Sequence, residues 1–350
     1  MMVQPRRSDL LGVQALRAVA ALLVVAYHAV EQWTNHMPGY GPGQYWPNGS
    51  AGVDIFFVIS GLVMTISVQR NVGRSNPAWT FAKDRIIRIV PLYWIVTTLK
   101  IAAVAAVPSL VSRTSLDPLY VAGSYALLPL YNGSALMPPV LPVGWTLTYE
   151  MFFYILVTLS LVLRVPLSRI CAPALIAVTV YAVITRTDGF ANTIVLEFLF
   201  GIAIGHAIPR LQSLPAAVSL PAGAVALGLL VTVPMGYDFL RPIAWGVPAA
   251  VIVGSVVSAE ITLRHVMPRW LLAAGNASYA TYLTHGFVVP AVFILCARSI
   301  GFEPAGLAAT IILSLFVSAF AGQITHHVVE QPLLLRLRTR RPVSTLPAPG

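Results

Sequence analysis

The sequence predicts an all-α polytopic membrane protein of about ten transmembrane helices, with both termini cytoplasmic. Of its 350 residues 57% are hydrophobic and only 10% charged, whereas a soluble domain carries about 25% charged residues. The apolar residues also gather into runs of the ~20 residues needed to cross a ~30 Å hydrocarbon core. The placement of the basic residues sets the orientation.

Taken in order, the apolar runs are 10–30, 52–69, 86–108, 145–163, 170–186, 190–208, 216–234, 241–259, 271–297 and 305–327. The first is too long for a secretory core and lacks a small-residue cleavage site, so it is expected to remain as the first span. Segment 119–131, LYVAGSYALLPLY, is short and marked by Gly and Pro. It is expected to lie in the interface or to re-enter. Cys171 and Cys296 sit in apolar runs and read as packing residues. Residues 1–335 are expected to form one membrane domain. Residues 336–350, basic and Pro-containing, are expected to be a disordered cytoplasmic tail.

Ten spans put both termini on one side. If that side is the cytoplasm, sixteen of the 22 lysines and arginines fall inside. Four fall outside, Arg113, Arg186, Arg241 and Arg298, and Arg17 and Lys100 lie within spans. That bias is the positive-inside pattern. The net charge of +10 therefore reads as topology, and no nucleic-acid partner is expected. Outer segments 31–51 and 109–144 are long. The aromatic, Gly and Pro content of the first suits either an interfacial aromatic belt or sugar stacking.

Ionisable groups inside spans carry the functional signal, because they are costly in hydrocarbon. Arg17 and His28 are eleven residues apart, which is three turns plus about 20°. They share one stripe of one helix, ~16 Å apart along it. Asp54 begins the second span and Glu150 the fourth, both from the outer side, at a depth comparable to that of His28. Each has a plain alternative. His28 could be a satisfied interfacial histidine, Asp54 a helix cap and Glu150 an interhelical hydrogen bond. Arg17 on the same stripe and two acids at matching depth favour function. Glu197, in the sixth span, is either a further member of this group or the partner of a polar residue elsewhere. On the inner side, Lys83, Arg85 and Arg88 open the third span. The i, i+3 pair Arg85 and Arg88 can fork onto phosphates beside a helix N-terminus, or simply anchor the span.

Several of these stretches resemble the acyltransferase-3 family of integral membrane O-acyltransferases. Arg17 with His28 matches an Arg-x10-His signature, and GVDIFFVISGL, with Ser60, matches a second-helix motif. DRIIRIVPLY, with Tyr93, and GWTLTYEMFFY, with Trp145 and Glu150, match two more. ASYATYLTH, with Tyr282 and His285, and VVEQPLL are similar to later segments. The ordered set spans residues 10 to about 335 and is most like the bacterial exopolysaccharide O-acetyltransferases.

The resemblance implies a multi-pass protein of the inner (plasma) membrane. It implies acetyl-coenzyme A as cytoplasmic donor and a carbohydrate hydroxyl, extracytoplasmic or lipid-linked, as acceptor, with no permanently bound cofactor and no metal. On this reading Lys83, Arg85, Arg88 and Tyr93 bind the donor. His28 is the general base, oriented by Asp54 or Glu150, or else an acyl carrier. Arg17 stabilises the donor or holds a carboxylate. Ser60, Trp145, Tyr282 and His285 form an acceptor or structural site. Acylation of a small molecule such as a macrolide, succinylation of a glucan, and transport or lipid flipping remain the alternatives.

Overall fold

In the computed structural model, residues 10–37, 46–71, 73, 75–106, 116–132, 135–186, 190–234 and 238–338 are described. The chain is nearly all helical: α1 Leu11–Thr34, α2 Gly52–Asn71, α3 Pro77–Ala106, α4 Pro118–Tyr125, α5 Trp145–Leu163, α6 Leu167–Thr185 and α7 Leu196–Leu211. Beyond these come α8 Ala216–Thr232, α9 Val247–Ser258, α10 Glu260–Val266, α11 Arg269–Asn276, α12 Ser278–Ser299, α13 Pro304–Thr325 and α14 Gln331–Arg338. Among the described residues nine helical stretches are long and apolar enough to cross a membrane, and α8 is a shorter apolar helix. All ten expected spans have a helix.

The differences are at the ends. α3 starts at Pro77, nine residues before the expected span. The ninth span is broken at Ala277, so α11 is a separate short helix ahead of α12. The tenth continues beyond 327 through a π-helical turn, His326–Glu330, into α14. Helix therefore covers the first residues of the expected tail, and 339–350 lie outside the described residues, as do Arg6, Arg7, Arg74, Arg113, Arg340 and Arg341. Segment 119–131 holds most of the eight-residue α4 and the start of a small antiparallel hairpin, in which β1 Leu130–Asn132 pairs with β2 Ala135–Met137. It is too short to cross, as expected. Cys171 and Cys296 are free and buried.

Lipid is as apolar as leucine, so close packing rather than burial from water holds such helices together. α2 and α7 show it best. Gly201 and Gly205 are four apart on α7 and face Gly61 and Thr65 of α2. A Cβ on Gly201 would stand 2.0 Å from the Val58 carbonyl oxygen, and one on Gly61 would stand 2.2 Å from that of Phe198. Beside this contact the rings of Phe57, Phe198 and Phe153 stack at 4.6 and 4.3 Å. Gly201→Ala should force the two backbones apart at a cost of at least about 1–3 kcal/mol. Gly228→Ala on α8, which meets nothing within 4 Å, is the control. A wild-type unfolding temperature for the Gly201 variant in detergent would show this contact to be dispensable.

At the end of the bundle where α1 finishes, here called distal, the last carbonyls of α8 are capped. Asn48 donates to Leu230 and Val233, and Trp46 to Val231. These bonds satisfy the acceptors that a helix C-terminus leaves open. The opposite, proximal end is closed by Glu260 of α10, which accepts from the Leu11 and Gly12 amides.

Candidate functional site

Four helices bring polar groups to mid-depth. Arg17 stands six residues into α1, ~9 Å from its proximal end, and Ser60 eight residues into α2 from the distal side. Arg85 and Arg88 stand eight and eleven residues into α3 because that helix begins at Pro77. The expected role of a helix N-terminus in their charge is thereby corrected, since that field fades within the first turn. All of them, with Glu150, line one cavity of about 830 Å³ of empty space, part of it open to solvent.

Charge inside the cavity is nearly balanced by contact. Glu330, 1% exposed, accepts from Arg88 through one carboxylate oxygen, and its other oxygen meets His326 Nδ1 at 2.6 Å. His326 and Glu330 are i and i+4 across a π-helical turn and project to one side. Glu150 accepts from the Tyr154 hydroxyl and from Ser60 Oγ at 3.3 Å. Arg85 donates to Ser67 and lies over the rings of Phe81 and Tyr154, while Arg88 lies over Tyr279. Arg17 donates from Nε to Ser278 Oγ at 3.2 Å, and Arg88, Glu150 and Glu330 are near enough to act on its charge. The product is a cavity lined by three guanidiniums and one carboxylate, Glu150, with Glu330 paired to Arg88 outside the lining, suited to an anion or a polarised carbonyl.

The distal wall of the cavity leads to His28. Thr146 and Tyr282 line that wall and hydrogen-bond each other at 3.0 Å. The ring of Tyr282 lies 5.7 Å from that of buried His285, which lies 5.1 Å from that of His28. His285 Nδ1 donates to the Tyr282 carbonyl at 2.6 Å. His28 Nδ1 meets the Glu31 carboxylate at 2.7 Å. A carboxylate can only accept, so Nδ1 carries the proton and Nε2 is left as the basic nitrogen. His28 is about one-third exposed and Glu31 slightly less, so this end is open to a second substrate.

The acids expected to orient His28 stand elsewhere. Asp54 is held by Arg241, Nε to Oδ1 at 3.0 Å and a terminal nitrogen to Oδ2 at 2.8 Å. Arg241 reaches it because the chain ahead of α9 winds as a π-helical turn, Pro242–Gly246, that carries this residue into the bundle. It is no outer-loop charge. Glu197 packs beside the same pair, 0% exposed, and so belongs to a third cluster of charge. Glu150 does not share the level of His28: it stands one turn proximal of Thr146, which bonds Tyr282, whereas His285 beside His28 stands one turn distal of Tyr282, and it faces the cavity with Arg17. Residue counts from a helix end misjudge depth where helices begin and end at different levels, and they say nothing of lateral position.

Two members of the expected donor set also fall outside the cavity. Tyr93 is five residues past Arg88, about 140° around the helix, and its hydroxyl donates to the Ser124 carbonyl at 2.8 Å, tying α3 to α4. Lys83 is half-buried on another face and does not line the cavity. Trp145 packs edge-on against Tyr149 rather than into the cavity.

A family model described as an acyltransferase domain, acyltransferase-3, matches residues 10–322, which include Arg17, the cavity-lining residues and the His28–His285 pair. The chain belongs to the acyltransferase-3 family. It is accordingly a membrane-bound O-acyltransferase that passes the membrane many times. The acyltransferase is 32% identical over 315 residues to exopolysaccharide production protein ExoZ of Rhizobium meliloti (strain 1021), covering 85% of this chain and 94% of that protein. It is 27% identical over 396 residues to acyltransferase MdmB of Streptomyces mycarofaciens, covering 99% and 97%. It is 25% identical over 364 residues to the putative peptidoglycan O-acetyltransferase YrhL of Bacillus subtilis (strain 168), covering 92% of this chain and 54% of the relative. No solved structure matches it.

Three site residues of the acyltransferase escape the sequence reading. Glu31 is one helical turn past His28, an i, i+3 pair visible in sequence, but the first apolar run stops at Val30 whereas α1 continues to Thr34. His326 and Glu330 are the first and last residues of the π-helical turn beyond α13; Glu330 lies within VVEQPLL, but there the apolar pattern gives way and periodicity says nothing about direction.

Proposed function

We propose that this acyltransferase moves an acetyl group from acetyl-coenzyme A to a hydroxyl of an extracytoplasmic or lipid-linked carbohydrate across the inner membrane. The observation that carries this reading is the series of ring contacts, Tyr282 to His285 to His28, that joins the wall of the arginine-lined cavity to His28. The similarity to an exopolysaccharide production protein and to a putative peptidoglycan O-acetyltransferase supports the acceptor class. Arg17, Arg85 and Arg88 receive the anionic donor from the proximal side, and its thioester arm extends past Tyr282.

At the distal end His28 Nε2 takes the proton of the acceptor hydroxyl. The freed oxygen attacks the thioester carbonyl, the C–S bond breaks, and the departing thiolate takes the proton back from His28. Glu31 holds the imidazole and stabilises its charged form. The net reaction consumes thioester and alcohol and yields ester and thiol, with no proton left over. Polysaccharide from a deletion strain, examined by proton NMR, should lack O-acetyl signals that the wild-type gene restores. Unchanged O-acetylation of every surface glycan would end this reading.

The same reading places the proximal end in the cytoplasm. A reporter active only outside the cytoplasm should give signal when fused after Asp238 and none when fused after Arg269 or at the C-terminus. Signal at the C-terminus would mean an odd number of crossings.

A further inference from the structure

Glu197 is a buried acid that no part of the site uses. It is the second residue of α7, 0% exposed, and among the described residues neither of its carboxyl oxygens meets a hydrogen-bond donor. No lysine, arginine or histidine among them pairs with it either. An ionised carboxylate stripped of water and left without a donor is very costly, and such a group neutralises instead.

What Glu197 touches is another acid. α2 and α7 run side by side in one direction, with Gly201 against the Val58 carbonyl and Gly205 against Thr65. Four residues ahead of Gly201 stands Glu197, and four ahead of Val58 stands Asp54, so one turn toward the distal end the two acids share a level. Glu197 lies there within hydrogen-bonding reach of the Asp54 carboxyl. Gly246 brings the π-helical turn ahead of α9 against the same side chain. A Cβ on it would stand 3.1 Å from Glu197 Cγ and 3.3 Å from Oε1.

Charge counting leaves one species. Arg241 gives its Nε and a terminal nitrogen to the two oxygens of Asp54, so the one cation is matched by the one carboxylate. Two ionised carboxyls can only accept, and a proton between them supplies the missing donor. The other titratable groups acting on this cluster are Asp238, exposed ahead of Arg241, and Tyr149 of α5. Neither is a cation.

We propose that Glu197 is a proton-binding site: it holds one proton at neutral pH and donates it to Asp54, so that Asp54, Arg241 and Glu197 together carry no net charge. The proton clamps the distal turns of α2 and α7 to each other. Val53, Phe56 and Phe57, beside Asp54 on α2, line the cavity, so the clamp stands directly behind its wall. Removing the proton sets two carboxylates against one guanidinium and works to part the two helices. The assignment does not depend on which substrates the cavity takes.

The folded protein then holds a proton that the unfolded chain, with an ordinary glutamate near about pH 4.3, releases. Stability from this site is therefore lost as pH rises, until the folded site itself ionises. The test compares the wild type with E197Q in detergent micelles across the neutral and alkaline range. The amide keeps the shape and offers Asp54 a donor without needing a proton. Relative to E197Q, the wild type should lose about tenfold in folding constant per pH unit until its site ionises. Infrared difference spectra at neutral pH should show a protonated-carboxyl band in the wild type that E197Q lacks. A stability difference that stays constant with pH, no such band, or an E197Q protein that does not fold would each overturn the proposal. So would stabilisation of the wild type, but not of E197Q, by sodium over choline, since a metal cation would then stand between the acids.

Discussion

His28→Ala should slow acetyl transfer by about 10²-fold or more while leaving the protein inserted and folded. The residue is partly exposed and its bonded partner Glu31 is exposed to a similar degree, so its removal strands no buried charge. Donor binding should survive, since the guanidiniums of the cavity belong to α1 and α3 on the far side of Tyr282. Glu31→Gln should be milder, because the amide oxygen still accepts from Nδ1 but no longer stabilises an imidazolium. The measurement is initial rate against acetyl-coenzyme A in proteoliposomes, with abundance checked by blot. Full activity of His28→Ala at wild-type abundance would remove both the base and the acyl-carrier roles.

Glu330→Ala should cost about 3–5 kcal/mol of stability, because it leaves the partly buried Arg88 uncompensated. His326 loses the same carboxylate. Arg88→Ala combined with Glu330→Ala should recover part of that loss, since the orphaned charge is gone, yet it should remain inactive for want of the anion-binding guanidinium. Unfolding temperatures of the two single variants and the double variant close the cycle. Additive losses in the double variant would show that the pair contributes nothing by its contact.

The fold was legible because lipid imposes a simple rule: a run of about twenty apolar residues is a helix with its backbone bonds satisfied internally. Every expected span has its helix, even where Pro interrupts, as at Pro91 in α3 and Pro290 in α12. The candidate site was legible in composition. Arg17, Ser60, Arg85, Arg88, Glu150 and Tyr282 line the cavity, and His285 and His28 follow beyond the Tyr282 ring. Pairing was not legible. Asp54 and Glu150 stand in the first turns of helices that enter from the side where the helix of His28 ends, and nothing in a one-dimensional pattern states which neighbour each helix turns toward. Arg241 shows why. It reads as an outer-loop charge, and a single π-helical turn makes it the partner of a carboxylate 187 positions away. Arg85 and Arg88 show the complementary error. The charged first turns of α3 hid the helix start, and a surface cluster became an interior one.

The short α8 has a consequence for the membrane around it. Its 17 residues reach ~25 Å, against a hydrocarbon thickness of ~30 Å, and the caps from Trp46 and Asn48 fix where it stops. A bilayer that thins beside this helix by a few ångströms, at fractions of a kcal/mol per ångström, would match it. Lipids with short or unsaturated chains meet that dimple at lower cost than long saturated ones. The enzyme is therefore expected to gather thin membrane around one flank and to lose stability as the host stiffens and thickens its bilayer.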